Sequence, residues 1–228
     1  MKILGIETST LTGSVCLLEN ENLLGEITLS VSVRHSERLM PAIDHLLKEA
    51  GVESADIDLY AVSRGPGSFT GLRIGLATAQ GLAMAGHKPV WGVSSLEALA
   101  WPAGLFFEGV IVPVIDAYRG EVYRAVYRSS NSNKKDLACL RPEGVVKIEE
   151  MVSELESFPN VLLTGPAASL CHARFPASLL NPPPFCNPKA SSIAWLAYTR
   201  QARGETPESV PDSVFDESGS PTYLRRPG

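Results

Sequence analysis

The segment Ser63-Arg64-Gly65-Pro66-Gly67-Ser68-Phe69-Thr70-Gly71-Leu72-Arg73-Ile74-Gly75 constrains this chain more than any other. A short apolar run, Leu59 to Val62, reads as a strand. The Gly-Pro-Gly turn ends it, and a helix is predicted at once over Leu72 to Ala85. That helix carries glycine at 71, 75 and 81, although a glycine inside a helix costs roughly 1 kcal/mol relative to alanine. Gly71, Gly75, Ala79 and Ala83 fall at i, i+4 spacing and share one face. A face this poor in side chains lets another backbone come close. Two readings are open: a ligand or a second helix approaches it, or the helix packs tightly onto its own sheet. A Walker-type phosphate loop is a poor fit, because it ends in Gly-Lys-Ser/Thr and no lysine stands here; the dinucleotide spacing is missing as well.

The rest of the chain reads as two similar lobes. Residues 2–6 and 13–19 are predicted strands around a Thr/Ser/Gly loop, and Leu23 to Ser30 is a third. A helix is predicted over Ser36 to Ala50, from Leu39, Ile43, Leu46, Leu47 and Ala50, with Gly51 as its stop and Pro41 disturbing its first turns. Strand Pro89–Val93 and helix Ser95–Ala100 complete a first lobe, residues 1–102. A second lobe, residues 103–228, opens with a hairpin of Val110–Asp116 and Glu121–Tyr127. The two openings echo one another: Ile6-Glu7-Thr8 with Gly13-Ser14-Val15, and Ile115-Asp116-Ala117 with Gly120-Glu121-Val122. Each places a carboxylate where its first strand ends. A strand near Asn160–Thr164 and a helix near Lys189–Arg203 follow. Residues 129–136 and 181–188 read as loops, and the tail from Gly204 as largely irregular, with Tyr223-Leu224-Arg225 as an anchor at its end.

Composition narrows the class. Of 228 residues, 44% are hydrophobic, enough for a well-buried core, and the formal charge is −5. An acidic chain without a basic stripe is not built to grip nucleic acid alone. The four cysteines, Cys16, Cys139, Cys171 and Cys186, lack the paired spacing of a zinc or redox site. The start Met1-Lys2 leads into a strand pattern rather than a signal peptide, and the apolar run Ile74 to Gly86 is shorter than the roughly 20 residues a bilayer needs. A reduced, cytoplasmic protein with no membrane attachment is expected.

Paired hairpins with carboxylates suggest an α/β fold of the actin-like ATPase and sugar kinase type, with ribonuclease H-like duplicated lobes. The likeness is closer than that. Met1-Lys2-Ile3-Leu4-Gly5-Ile6-Glu7-Thr8-Ser9-Thr10, His35-Ser36-Glu37-Arg38-Leu39, the stretch from Gly65 to Gly75, Ile115-Asp116-Ala117-Tyr118-Arg119-Gly120-Glu121-Val122-Tyr123 and Pro221-Thr222-Tyr223-Leu224-Arg225 resemble the TsaB (YeaZ) family. The resemblance implies a non-catalytic subunit that holds a TsaD-like catalytic partner and works with a TsaE-like ATPase. The assembly makes threonylcarbamoyladenosine beside the anticodon of tRNAs that read codons starting with A. It implies ATP and a metal on the partner subunits and none bound by this chain alone, and tRNA contact only through the complex. The same surface could pair two copies when the partner is absent, and the sequence leaves monomer and homodimer both open.

The residues agree with a non-enzyme. The catalytic relative binds metal through two helical histidines four apart; here His35 is followed at i+4 by Leu39, so no metal site is expected. Glu7 stands where the family carries aspartate, and the extra methylene would displace a metal-bound water. Partner binding is expected at Leu39, Met40, Ile43 and Leu47 on the first helix and at Gly71, Leu72, Gly75, Ala79 and Leu82 on the second. Glu7, Thr8 and Asp116 are the nucleotide-proximal candidates, with Asp116 equally readable as a turn residue that caps local backbone. The rival reading is a stand-alone nucleotide-dependent phosphotransferase of the sugar kinase type built on the same residues.

Overall fold

The computed structural model describes residues 1–30, 35–129 and 137–206. The chain packs as two compact units, Met1–Ser95 together with the segment beginning at Lys189, and Leu96–Pro188.

The first unit is built on β1 (Lys2–Glu7), β2 (Thr12–Glu19), β3 (Asn22–Ser30), β4 (Leu59–Gly65) and β5 (Val90–Ser94), in the order β3-β2-β1-β4-β5. The first three strands form an antiparallel meander, and β4 and β5 join parallel to β1. Ile3, Leu4 and Ile6 on β1 are all buried, as a central strand covered on both faces requires. Helices α1 (His35–Glu49) and α2 (Phe69–Gly86) cover one face. Leu39, Ile43, Leu46, Leu47, Leu72 and Leu76 meet Leu4, Ile6, Val15, Leu17, Tyr60 and Val62 there. Helix α1 continues through Pro41.

The opposite face is covered by α6 (Ala190–Ala202), which comes from the far end of the chain. Gly5 makes that possible: a Cβ there would lie 2.6 Å from the Ala190 carbonyl oxygen. Lys189 gives α6 no side-chain cap. Two strands supply the missing acceptors instead, because Ala190 N–H donates to Ser14 Oγ and Ser191 N–H donates to Glu26 Oε1, both at 2.8 Å. Glu26 also sets a negative charge against the positive end of the helix dipole.

The second unit repeats the plan. Its strands are β6 (Val110–Tyr118), β7 (Glu121–Arg128), β8 (Ala138–Lys147), β9 (Val161–Thr164) and β10 (Leu179–Leu180). Read from the other edge, their order is β8-β7-β6-β9-β10, the same meander followed by two parallel strands. Helices α4 (Ile148–Leu155) and α5 (Ala168–His172) cover one face, and α3 (Ser95–Gly104) packs Leu96, Leu99, Ala100 and Ala103 on the other. The repeated strand order makes this a duplicated α/β fold.

The observed division differs from one boundary at residue 102. Helix α3 leaves β5 to cover the second sheet, and α6 returns to cover the first, so a linear cut cannot separate the units. The anchor Tyr223-Leu224-Arg225 lies outside the described residues.

The α6 start yields a prediction. Ser14→Ala strands a buried N–H and is expected to lower the unfolding free energy by about 1–2 kcal/mol. Glu26→Gln keeps an acceptor oxygen and should cost less than about 1 kcal/mol. Urea denaturation measures both, and an unchanged midpoint for Ser14→Ala would refute the cap.

Candidate docking helix and its seat

At the carboxyl end of β1 the chain turns through Thr8, Ser9, Thr10 and Leu11. Side chains alternate across a strand. Gly5 faces α6, so Glu7 points to that side and Thr8 to the side of α2. Thr8 lies in the notch that Gly71 and Gly75 leave open. A Cβ on Gly71 would collide with the Thr8 carbonyl oxygen, and one on Gly75 with Thr8 Oγ1. That hydroxyl donates to the Gly71 carbonyl oxygen at 2.8 Å. Ser68, the N-cap of α2, accepts from Gly71 N–H with its side chain at 3.3 Å, and its own N–H donates to the Ser9 carbonyl oxygen at 2.7 Å. The first turns of α2 are thus fastened to residues 8 and 9.

Most of the residues expected to bind a partner lie on the inward sides of α1 and α2. Gly71, Gly75, Ala79 and Ala83 are buried against their own unit, so the small-residue face serves the helix's approach to its sheet. Leu39, Ile43, Leu47 and Leu72 are core residues, between 0% and 8% exposed. Leu82 is half-buried against the same core. Of the expected set only Met40, 47% exposed, stands outward.

The outward face of α2 was missed. Ala77, Gly81, Met84 and Ala85 are exposed and fall at i, i+4, i+7 and i+8, a single stripe. Met84 is 77% exposed, and a Cβ on Gly81 would meet nothing within 4 Å. Towards the start of the helix the Arg73 guanidinium lies 4.9 Å above the Phe69 ring. The signal was available: once Leu72, Leu76, Ala79 and Ala83 are taken as the inward side, Gly81 is the helix glycine on the other.

Glu7 is fully buried. Its Oε1 accepts from Ser9 N–H at 2.5 Å, whereas its Oε2 and the neighbouring Ser9 Oγ, also buried, have no partner at hydrogen-bonding geometry among the described residues. Burial pushes the Glu7 carboxyl up to about 7, against smaller downward effects of the nearby Ser9 hydroxyl, the Ser9 N–H and the nearby Ser63 hydroxyl. Asp116, on the second unit, is exposed, and its Oδ1 accepts from Tyr118 N–H at 2.7 Å. That is the capping role of a turn residue, in a hairpin whose Tyr118, Arg119 and Gly120 all have φ between 54° and 80°. Glu7 and Thr8 belong to the first unit and Asp116 to the second. The His35 side chain lies outside the described residues.

Comparison with known proteins places the chain. The family model described as "TsaD: tRNA N6-adenosine threonylcarbamoyltransferase" matches residues 23–196. The tRNA threonylcarbamoyladenosine biosynthesis protein TsaB of Bacillus subtilis is 34% identical over 209 residues, covering 89% of each chain. The chain belongs to the TsaB (YeaZ) family. The TsaB of Escherichia coli is 32% identical, over 99% of this chain and 95% of its own. The solved structure of YeaZ from Pseudomonas aeruginosa superposes with a TM-score of 0.76 at 28% identity, covering 92% of this chain and 97% of that one. Among the described residues no helix is long and apolar enough to cross a membrane.

The buried carboxyl of this TsaB-family chain sets a pH dependence. A carboxyl raised from 4.5 to about 7 binds its proton more tightly in the folded state. Its contribution to stability is therefore full below about 4.5 and is lost as pH rises through about 7, about 3 kcal/mol in all. Glu7→Gln should remove that slope, so the variant gains on the wild type as pH climbs from 5 to 8. Urea unfolding at each pH measures the difference; a constant difference would refute the assignment.

Proposed function

We propose that the chain is a non-catalytic scaffold subunit which docks a TsaD-like catalytic partner through the outward face of α2, with Met40 on α1 adding apolar area. The assembly forms threonylcarbamoyladenosine beside the anticodon of tRNAs reading codons that start with A. A TsaE-like ATPase joins it, ATP and metal reside on the partners, and tRNA is met only through the complex. The names carried by the B. subtilis and E. coli relatives support the pathway. The match to a family model bearing the TsaD name supports a partner of related fold.

One observation carries the docking surface. Gly81 stands in the interior of an 18-residue helix, and none of the described residues comes within reach of a Cβ there. The described packing gains nothing from a residue that costs roughly 1 kcal/mol against alanine. A partner helix crossing at Gly81, flanked by Ala77, Met84 and Ala85, accounts for it. The same stripe can pair with a second copy of the chain when the partner is absent. Glu7 and Asp116 speak against the phosphotransferase reading, since the first is fully buried and the second is engaged by its own turn.

Gly81→Leu should leave the melting temperature near that of the wild type and weaken partner binding about ten- to hundredfold. Gly75→Leu should fail at folding, because its side chain would meet Thr8 Oγ1. Titration calorimetry with the partner and circular dichroism separate the two, and normal binding by a folded Gly81→Leu chain would sink the docking face. The isolated chain should turn over no ATP, yet be required when threonine transfer to tRNA is reconstituted with labelled threonine. Steady ATP hydrolysis by the chain alone would contradict the scaffold reading.

A further inference from the structure

The turn that seats α2 carries a second feature. Glu7 and Ser9 together hold two buried polar atoms, Oε2 and Oγ, without a partner at hydrogen-bonding geometry among the described residues. Buried polar atoms of this kind are few in a native fold, and each asks for a cause. The residue between them, Thr8, holds α2 through its hydroxyl, and Ser9 holds the helix start through its carbonyl oxygen. Three consecutive residues therefore combine a titratable group on one side of the sheet with both attachments of α2 on the other.

We propose that Glu7 is a positioning residue for the docking helix: its neutral carboxyl lets the turn close under α2, and its ionisation loosens the Thr8 and Ser9 attachments and with them the outward face at Ala77, Gly81 and Met84. The inference rests on the docking reading above and adds a regulation to it. The hydroxyls of Ser9 and Ser63 can donate to the ionised carboxyl, yet burial outweighs them: a charge with no counter-charge beside it in a fully buried site is strongly disfavoured. Relief requires water to reach the carboxyl, and Thr8 and Ser9 are the residues next to it in the chain.

The groups around Glu7 leave it as the one that titrates. Ser14 pairs with it across β2, where its Oγ accepts Ala190 N–H. Ser63 lies alongside on β4 and accepts Thr8 N–H at 3.5 Å. The charged residues on the strands and helix around it are Lys2 on β1, Glu19 on β2, Glu26 on β3, Arg64 on β4, and Lys189 and Arg200 at and within α6. None of these charges is among the causes that shift Glu7, which are burial first and then the neighbouring Ser9 and Ser63 groups. The device acts near neutrality, where a modest rise in pH would weaken assembly.

The test uses the isolated full chain and then the complex. Nuclear magnetic resonance from pH 5.5 to 8.5 follows the Glu7 carboxyl carbon and the amides of Gly71, Gly75 and Gly81. All four signals are expected to titrate together in the wild type, and the three amides to stand still in Glu7→Gln. A second variant, Thr8→Val, keeps the carboxyl titration and should uncouple the amides from it. Calorimetry with the TsaD-like partner should show affinity falling at least about fivefold between pH 6 and 8.5 in the wild type and level in Glu7→Gln. Amides that ignore the Glu7 titration overturn the proposal in the isolated chain, whatever the partner does. A pH-dependent affinity that survives in Glu7→Gln overturns its link to docking. Full-strength binding by Gly81→Leu at every pH would instead strike the docking reading, leaving the amide titration to decide the role of Glu7.

Discussion

Everything that presents α2 depends on one contact, Thr8 in the notch of Gly71 and Gly75. The two glycines let the helix lie on the end of the central strand, and the Thr8 hydroxyl closes the contact by donating to the Gly71 carbonyl oxygen. With its inward face fixed this closely, the helix has one orientation. Ala77, Gly81, Met84 and Ala85 are then held outward as a rigid stripe. A docking surface on a rigid element loses little conformational freedom on binding, which is how a small area can suffice.

The division of labour between the two faces of α2 explains the three glycines that stand before its final residue, Gly86. Two are consumed by its own fold and one is left over. Treating them as a single feature assigns the whole set to a partner, as the i, i+4 pattern invites. The packing separates them: Gly71 and Gly75 report on β1, and Gly81 reports on what lies outside. The same logic removes Leu39, Ile43, Leu47 and Leu72 from the interface, because apolar residues at helical spacing face the core of their own unit before they face anything else.

The sequence made the architecture legible where elements are long and strongly patterned. The strands of both hairpins, α1, α2 and α6 could all be read from periodicity and from the Gly-Pro-Gly stop. The second unit was harder. Strand β8 holds Pro142 and Gly144 and is mostly exposed or half-buried, so it lacks the alternation of a covered strand. Helix α5 has five residues and β10 has two, too few for a period to show. Helix α4 was readable, since Ile148, Met151 and Leu155 mark its buried face. The destinations of α3 and α6 were not, because which sheet a helix covers is decided by long-range packing such as Gly5 against Ala190. At the site, the carboxylate of Asp116 could be read as a turn cap in advance. The seclusion of Glu7 could not, as nothing in Ile6-Glu7-Thr8 distinguishes a sealed carboxyl from one that faces solvent.

The central claim is that the outward stripe of α2 meets the partner. Hydrogen-exchange mass spectrometry of the full chain, free and bound to a TsaD-like protein, tests it most directly. The account predicts new protection on peptides spanning Ala77 to Ala85 and on the α1 peptide containing Met40, with the strands of the second unit unchanged. Protection confined to the second unit, with α2 exchanging as in the free chain, would contradict it.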